Sequence, residues 1–433
     1  MRLHDTAFYV AAFAILGVGA AGLGLNPWLT LIISAVAAIG FYSFSKFQWK
    51  YFLILPIIAF LGFFYYHFYF ALQAENIVFD KELVFQGEVI REPTHSLKAE
   101  EIEVRLRPPY EGEARIYAEP TRNFHYGDLL EIRGAIVKSP TGRLNIASFP
   151  EIEIVSRNNG NPIKTRLFRF KEKLINNLDA VLPPQEAALM SGILLGERGE
   201  FSQEFKDQLN KSGTTHIVAL SGYNISIIGL TLTGILGLFF RKHWAFYLSL
   251  FTIPLFVIMT GAEASVIRAG IMGIIVLLAQ KQSRLYSFRN EVAITAFLML
   301  LFNPKLLIFD LGFQLSFAAL MGIVYLFPYF ERRLGWRDKE GSIFELKKNG
   351  LQTFSAQLAV SPILLIKFGY LSATALLANI LILTFIPLTM FFGFITALLG
   401  FVSYELSLVM GLFTNFILSY EILVIKFFAL SWL

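Results

Sequence analysis

Apolar runs of about 20 residues recur along this sequence and are interrupted once, by a polar stretch with a different period. Residues 7–25, 27–44 and 51–72 form the first group of runs. A second group is centred within residues 217–240, 244–261, 266–280, 292–302, 311–330, 351–366, 374–391, 392–404 and 406–430. A spanning helix needs about 20 mainly apolar residues, so the reading is a polytopic α-helical membrane protein with about ten to twelve transmembrane helices. Composition agrees: 55% of the chain is hydrophobic and 16% charged, against roughly 25% charged in soluble domains. That excludes an ordinary cytosolic enzyme, and 44 Phe with 17 Tyr exclude a disordered chain. The first run has no small-residue cleavage site and further spans follow at once, so it is not read as a signal peptide.

The interruption, residues 76–160, changes the period to two. Glu101-Ile102-Glu103-Val104-Arg105-Leu106-Arg107 alternates as a half-buried strand does. Further strand-like runs occupy residues 83–90, 114–118, 128–138 and 144–155, separated by Pro108-Pro109, Tyr126-Gly127-Asp128 and Ser139-Pro140-Thr141-Gly142. Short strands at this spacing read as a small all-β domain, either an OB-like barrel or a meander sheet. Residues 161–212 follow as amphipathic helices. Lys164, Arg166, Arg169, Lys171 and Lys173 stand beside Leu167, Phe168, Phe170, Leu174 and Leu178, which fits a helix on anionic headgroups or one packed on the β-domain.

Orientation follows from the basic loops, which stay cytoplasmic. Lys46 and Lys50, then Arg241 and Lys242, then Lys281, Arg284 and Arg289, then Arg332 to Lys348 mark four of them. With the N-terminus inside, three spans in residues 1–75 place the β-domain outside, and every later basic loop returns inside.

With no cysteine there is no disulfide, thiolate metal site or Cys nucleophile, and the six histidines never fall at metal-ligand spacing. No metal, cofactor or catalytic group is expected. Ionisable or polar groups at membrane depth are expensive and usually face a partner or a cavity. Arg268, Glu263, Asp310, Gln314 and Gln357 are such groups. Arg268 is open to two readings, a structural pair with a carboxylate or the lining of a pore. Ser221-Gly222 suggests irregular backbone, which survives at that depth only beside a cavity. His216 with Ser221 leaves a membrane serine hydrolase open, although no Gly-x-Ser-x-Gly elbow and no orienting acid accompany them.

Gly192-Ile193-Leu194-Leu195-Gly196-Glu197-Arg198, followed by Gly213-Thr214-Thr215-His216-Ile217-Val218-Ala219-Leu220-Ser221-Gly222-Tyr223-Asn224, resembles the signature of the ComEC family of competence proteins. The resemblance continues through Arg268-Ala269-Gly270, Asn303-Pro304, Asp310 to Ala319, Ser361-Pro362 and Asn379 with Pro387. Upstream, Tyr126 to Gly134 is similar to a strand of that family's extracytoplasmic OB-like domain. The resemblance implies an inner-membrane channel that carries single-stranded DNA into the cytoplasm, with residues 213–433 as its multi-helix domain. It implies Glu197, Arg198, His216, Ser221, Gly222, Asn224, Arg268, Asp310, Gln314 and Gln357 as residues shaping the path. Its implied partners are single-stranded DNA, membrane lipid, an outside DNA receptor and a cytoplasmic helicase-like translocase; oligomeric state is left open.

Two departures qualify the resemblance. Many relatives carry a C-terminal metallo-β-lactamase-like domain, and no His-x-His-x-Asp-His run occurs here, so this chain reads as a short form without that nuclease. Residues 80–157 hold fourteen Asp and Glu against eleven Lys and Arg, an acidic balance unusual for a nucleic-acid binder. A related transporter for another polyanionic or lipid-linked polymer is therefore the alternative.

Overall fold

The computed structural model describes residues 3–44, 54–72, 76–95, 99–120, 124–138, 145–197, 201–218, 224–225, 227–229, 234, 237, 240–281, 288–336, 342–369 and 374–430. Most of these residues are helical, and one region is a β-sheet. The chain divides into two compact units, residues 1–74 with 271–370, and residues 75–270 with 371–433.

In the first unit, α1 (Leu3–Gly22), α2 (Pro27–Phe44) and α3 (Ile54–Leu72) pack through Phe13, Ala38, Leu55 and Ala59. The same unit holds α10 (Phe288–Phe302), the short α11 (Leu306–Phe309), α12 (Leu311–Met321), a π-helical turn at Gly322–Leu326, α13 (Phe327–Arg333) and α14 (Ser342–Phe368). The Tyr65 hydroxyl donates to the Leu301 carbonyl at 2.6 Å, tying α3 to α10.

The second unit begins with the sheet. β1 (Glu82–Val89), β2 (Thr94–His95), β3 (Glu100–Leu106), β4 (Glu113–Ala118), β5 (Leu129–Ala135), β6 (Asn145–Ser148) and β7 (Glu151–Ser156) run in the order β6-β4-β3-β1-β5-β7, with β2 beside β3. β4 and β6 are parallel and the other pairs antiparallel. Beyond β5, Val137 and Ile146 exchange backbone hydrogen bonds at 2.8 and 2.9 Å, so the sheet curls back and β6, one end of the path, meets the segment that follows β5. Alternation places Val89, Ile102, Val104, Ile116, Leu130 and Ile132 inside. The run expected over residues 144–155 is two strands, because Phe149 adopts a positive φ of 50° and Pro150 has no N–H to give the ladder.

Helices complete this unit: α4 (Pro162–Asp179), α5 (Pro184–Leu195), α6 (Gln203–Ser212), α7 (Thr215–Val218), α8 (Lys242–Met259), α9 (Ala264–Lys281, whose later part belongs to the first unit), α15 (Ala375–Leu383), α16 (Ile386–Leu399) and α17 (Tyr404–Leu430). Asn161 caps α4 through its Oδ1, which accepts from Ile163 N. The apolar face of α4, Leu174 and Leu178, joins Leu189 and Met190 of α5, Ile386 and Met390 of α16, and Leu418 and Ile422 of α17 in one core.

Three described helices are long and apolar enough to cross a membrane, Ile54–Leu72, Leu311–Arg333 and Tyr404–Leu430, or four if the bent pair α15–α16 is one span. The ten to twelve windows read from hydropathy thus correspond to fewer full-length helices among the described residues. Shorter apolar helices occupy Thr6–Gly22, Pro27–Gly40, His243–Met259 and Ala264–Ala279. The break expected between Phe391 and Phe392 lies instead at Thr384-Phe385, where the axes turn by 50°. Pro387 opens α16 there, at a helix start where its missing N–H costs nothing.

Candidate functional site

The Gly-rich segment after α5 is shaped by backbone demands. α5 ends at Gly196, whose φ of 78° is left-handed, and its N–H returns to the Gly192 carbonyl at 3.1 Å. A side chain on Gly192 would meet the Val218 side chain at 2.6 Å. The segment therefore turns sharply against α7. Asn224, 1% exposed, donates through Nδ2 to the Ile193 carbonyl at 3.2 Å and lies 3.5 Å from that of Ile217. Next to it, Ile225 packs against Val266 and Ala269, which flank the buried Arg268 on α9. One amide side chain thus ties the end of α5 to α7, and its neighbour carries the arginine-bearing helix.

Glu197 emerges from this turn onto a buried cation. Lys171 of α4, 5% exposed, places Nζ 2.7 Å from Glu92 Oε2 and 3.1 Å from Glu197 Oε2. Burial opposes the charge on Lys171, but the two carboxylates outweigh it and hold the ammonium above its ordinary value. Glu92 moves up from the usual carboxylate range, first through burial and then through Glu197 and Glu172, against the pull of Lys171. Two acids thus share the Lys171 ammonium. Sequence periodicity set Lys171 among the polar-face cations of a helix read either on headgroups or packed on the β-domain. The structure turns it inward because its partners come from a loop 79 positions and a turn 26 positions away, pairings that no helical periodicity encodes.

The remaining candidates fall into three groups. His216, in α7, is exposed. Asp310, Gln314 and Gln357 belong to the first unit rather than to the unit holding Glu197, Asn224 and Arg268. There Asp310 caps α12, its Oδ1 accepting from Phe313 N at 2.7 Å. Gln314 donates to the carbonyls of Leu307 and Ile308 at 3.0 and 2.8 Å, satisfying the end of α11. Gln357 is half-buried on α14. Arg198, Ser221 and Gly222 lie outside the described residues. Among the described residues, no group of three or more His, Asp or Glu is placed to hold a metal ion.

A further ionisable group escaped the sequence reading. Glu421, 1% exposed in the middle of α17, accepts from the Thr389 hydroxyl at 2.5 Å, and its Oε2 has no hydrogen-bond partner among the described residues. The apolar average of its window conceals it; a search for single charges within spans is the signal that finds it. Below it the α16–α17 seam continues with Thr396 and Thr414, hydroxyls 2.9 Å apart, and with Ser407, which donates to the Thr396 carbonyl at 2.9 Å.

Comparison with known proteins adds an independent finding. A family model described as competence protein matches residues 193–432. Over 228 residues, 51% of its length, the chain is 28% identical to ComE operon protein 3 of Bacillus subtilis (strain 168), and that stretch covers 27% of the relative. The match thus spans about a quarter of the relative's length. No solved structure matches the chain.

Proposed function

The chain belongs to the ComEC family of competence proteins, and on that premise we propose that it is an inner-membrane channel passing single-stranded DNA into the cytoplasm during natural transformation. The observation that carries the reading is the family match across residues 193–432, the stretch in which Ile193, Ile217, Asn224 and the Arg268 helix are fastened together. The role is transport, not catalysis. The curled sheet is an OB-like domain held outside the membrane, the N-terminus is cytoplasmic, and the strand passes from the sheet to the helical part. An outside receptor supplies the DNA and a cytoplasmic helicase-like partner draws the strand in. Arg198 and Arg268 offer its phosphates contacts weak enough to release, while Asn224 shapes the path by positioning α5 and α7. His216, Ser221, Gly222, Asp310, Gln314 and Gln357 are the further residues that shape the path.

Fluorescent double-stranded DNA tests this in the host, with surface-bound and nuclease-protected pools scored separately for wild type, a deletion and Arg268→Ala. The deletion is expected to keep bound DNA and lose the protected pool, and Arg268→Ala to reduce it. Unchanged protected uptake in the deletion overturns the reading.

A second reading, a carrier of another polyanionic or lipid-linked polymer, is favoured by the outer face of the sheet. Arg91, Arg105, Arg107, Arg115 and Arg133 are each paired with a glutamate, so these five cations of the acidic sheet are already engaged. Steeply salt-dependent DNA binding by the purified protein would count against it.

A further inference from the structure

Three elements distant in sequence meet on the Lys171 ammonium: the loop after β1 through Glu92, helix α4 itself, and the turn after α5 through Glu197. We propose that Lys171 is a positioning residue that couples the β-sheet domain to the 192–197 turn, setting the delivery of a captured strand and not its capture. The proposal rests on the DNA-import reading above.

The geometry separates fastening from coupling. The sheet domain is already attached to the start of α4 by contacts that do not reach the turn. The backbone N–H of Asn161 donates to the Tyr126 hydroxyl at 3.1 Å, the Tyr126 and Phe168 rings meet edge to face at 5.3 Å, and Arg169 donates to Asn158 Oδ1 at 3.1 Å. The far end of α4 is held by Asn177, whose Nδ2 donates to the Ala397 carbonyl of α16 at 2.9 Å. Lys171 stands between these attachments and bonds to both the sheet domain and the Glu197 turn.

Its burial makes the link directional. An exposed lysine pair is screened and loosely held, whereas a buried ammonium cannot leave one carboxylate without stranding a charge. A displacement of the Glu92 loop is therefore passed to Glu197 through a single atom. The two carboxylates repel each other, and the shared ammonium offsets that repulsion.

The test uses the full chain in its host, reading the ratio of protected to surface-bound DNA at measured membrane abundance. Glu92→Leu leaves the Lys171–Glu197 ion pair in place and replaces no residue placed on the path. It is expected to accumulate normally, bind DNA normally and show a reduced ratio. Lys171→Met is expected to lower the ratio further. A merely structural role moves abundance and leaves the ratio alone. Glu92→Leu with wild-type abundance and a wild-type ratio overturns the proposal. So does a Glu92→Leu protein that never accumulates, since the charge would then be supporting the fold. The deletion separates the two claims: normal import without the chain defeats the import reading, whereas import that needs the chain and ignores Glu92→Leu defeats the coupling alone.

Discussion

The outer face of the sheet and the seam between α16 and α17 treat polar side chains in opposite ways. On the sheet, Arg105 pairs with Glu113 while 65% and 42% of their side chains stay exposed, and Arg115 bridges Glu101 and Glu103. In the seam, Thr389, Thr396, Thr414 and Ser407 are fully buried, and their hydroxyls bond to each other, to a carboxyl or to main-chain carbonyls. The sheet can spend many charges because water shares their cost. The seam uses hydroxyls, which satisfy themselves on the carbonyl one turn back when a partner is missing. Lys171 combines the two regimes, a full charge at the burial of the seam.

That contrast can be broken by measuring unfolding of the purified full chain. The largest effect is expected at Lys171→Met, about 3–5 kcal/mol, because it removes the buried ammonium that two half-buried carboxylates share. A change no larger than that of an exposed pair would erase the distinction between Lys171 and the sheet arginines. Next comes Ile132→Ala in the sheet core, about 2–5 kcal/mol from lost burial and the cavity left behind. It shows whether the sheet is held by its interior more than by its charges. Thr396→Val in the seam is expected to cost about 1–3 kcal/mol, since the hydroxyl bonds both the Phe392 carbonyl and the Thr414 hydroxyl. Arg105→Ala on the sheet closes the series at about 0.2–1 kcal/mol, an effect that should shrink further in high salt.

A pH series sharpens the comparison at Glu92. Its carboxyl is raised in the folded protein, chiefly by burial, so the folded state holds that proton more tightly than the unfolded chain. The stabilising contribution is complete below the ordinary carboxylate range and is lost as pH rises through the raised value. Glu92→Gln should flatten the stability profile across that interval, read as unfolding midpoints at successive mildly acidic pH values. A profile identical to wild type would place the titration elsewhere.

Local pattern carried much of the architecture. The strict alternation at residues 101–107 placed Ile102, Val104 and Leu106 in the core, where β3 holds them. The split at Phe149 was hidden because a left-handed Phe leaves no trace in hydropathy. Windowed hydropathy marks apolar stretches but not what interrupts them: it averages across the turn at Thr384-Phe385 and across Glu421 alike. At the candidate site, motif order pointed to Glu197, Asn224 and Arg268, which share one unit. The partners were not legible. Lys171 belongs to a helix whose charges all look solvent-facing in sequence, and Asp310 and Gln314, read as membrane-depth polar groups, cap and satisfy helix ends. Side chains that answer distant backbone groups need the tertiary structure to assign them.

The central claim, that one strand passes this protein into the cytoplasm, is tested most directly by the strand form of the imported DNA. Cells fed labelled duplex are cleared of external DNA, lysed, and the protected label is challenged with a nuclease specific for single strands. The account predicts label that is digested in wild type and absent from the deletion. Protected label that resists digestion as duplex, or digestible label that persists in the deletion, would contradict it.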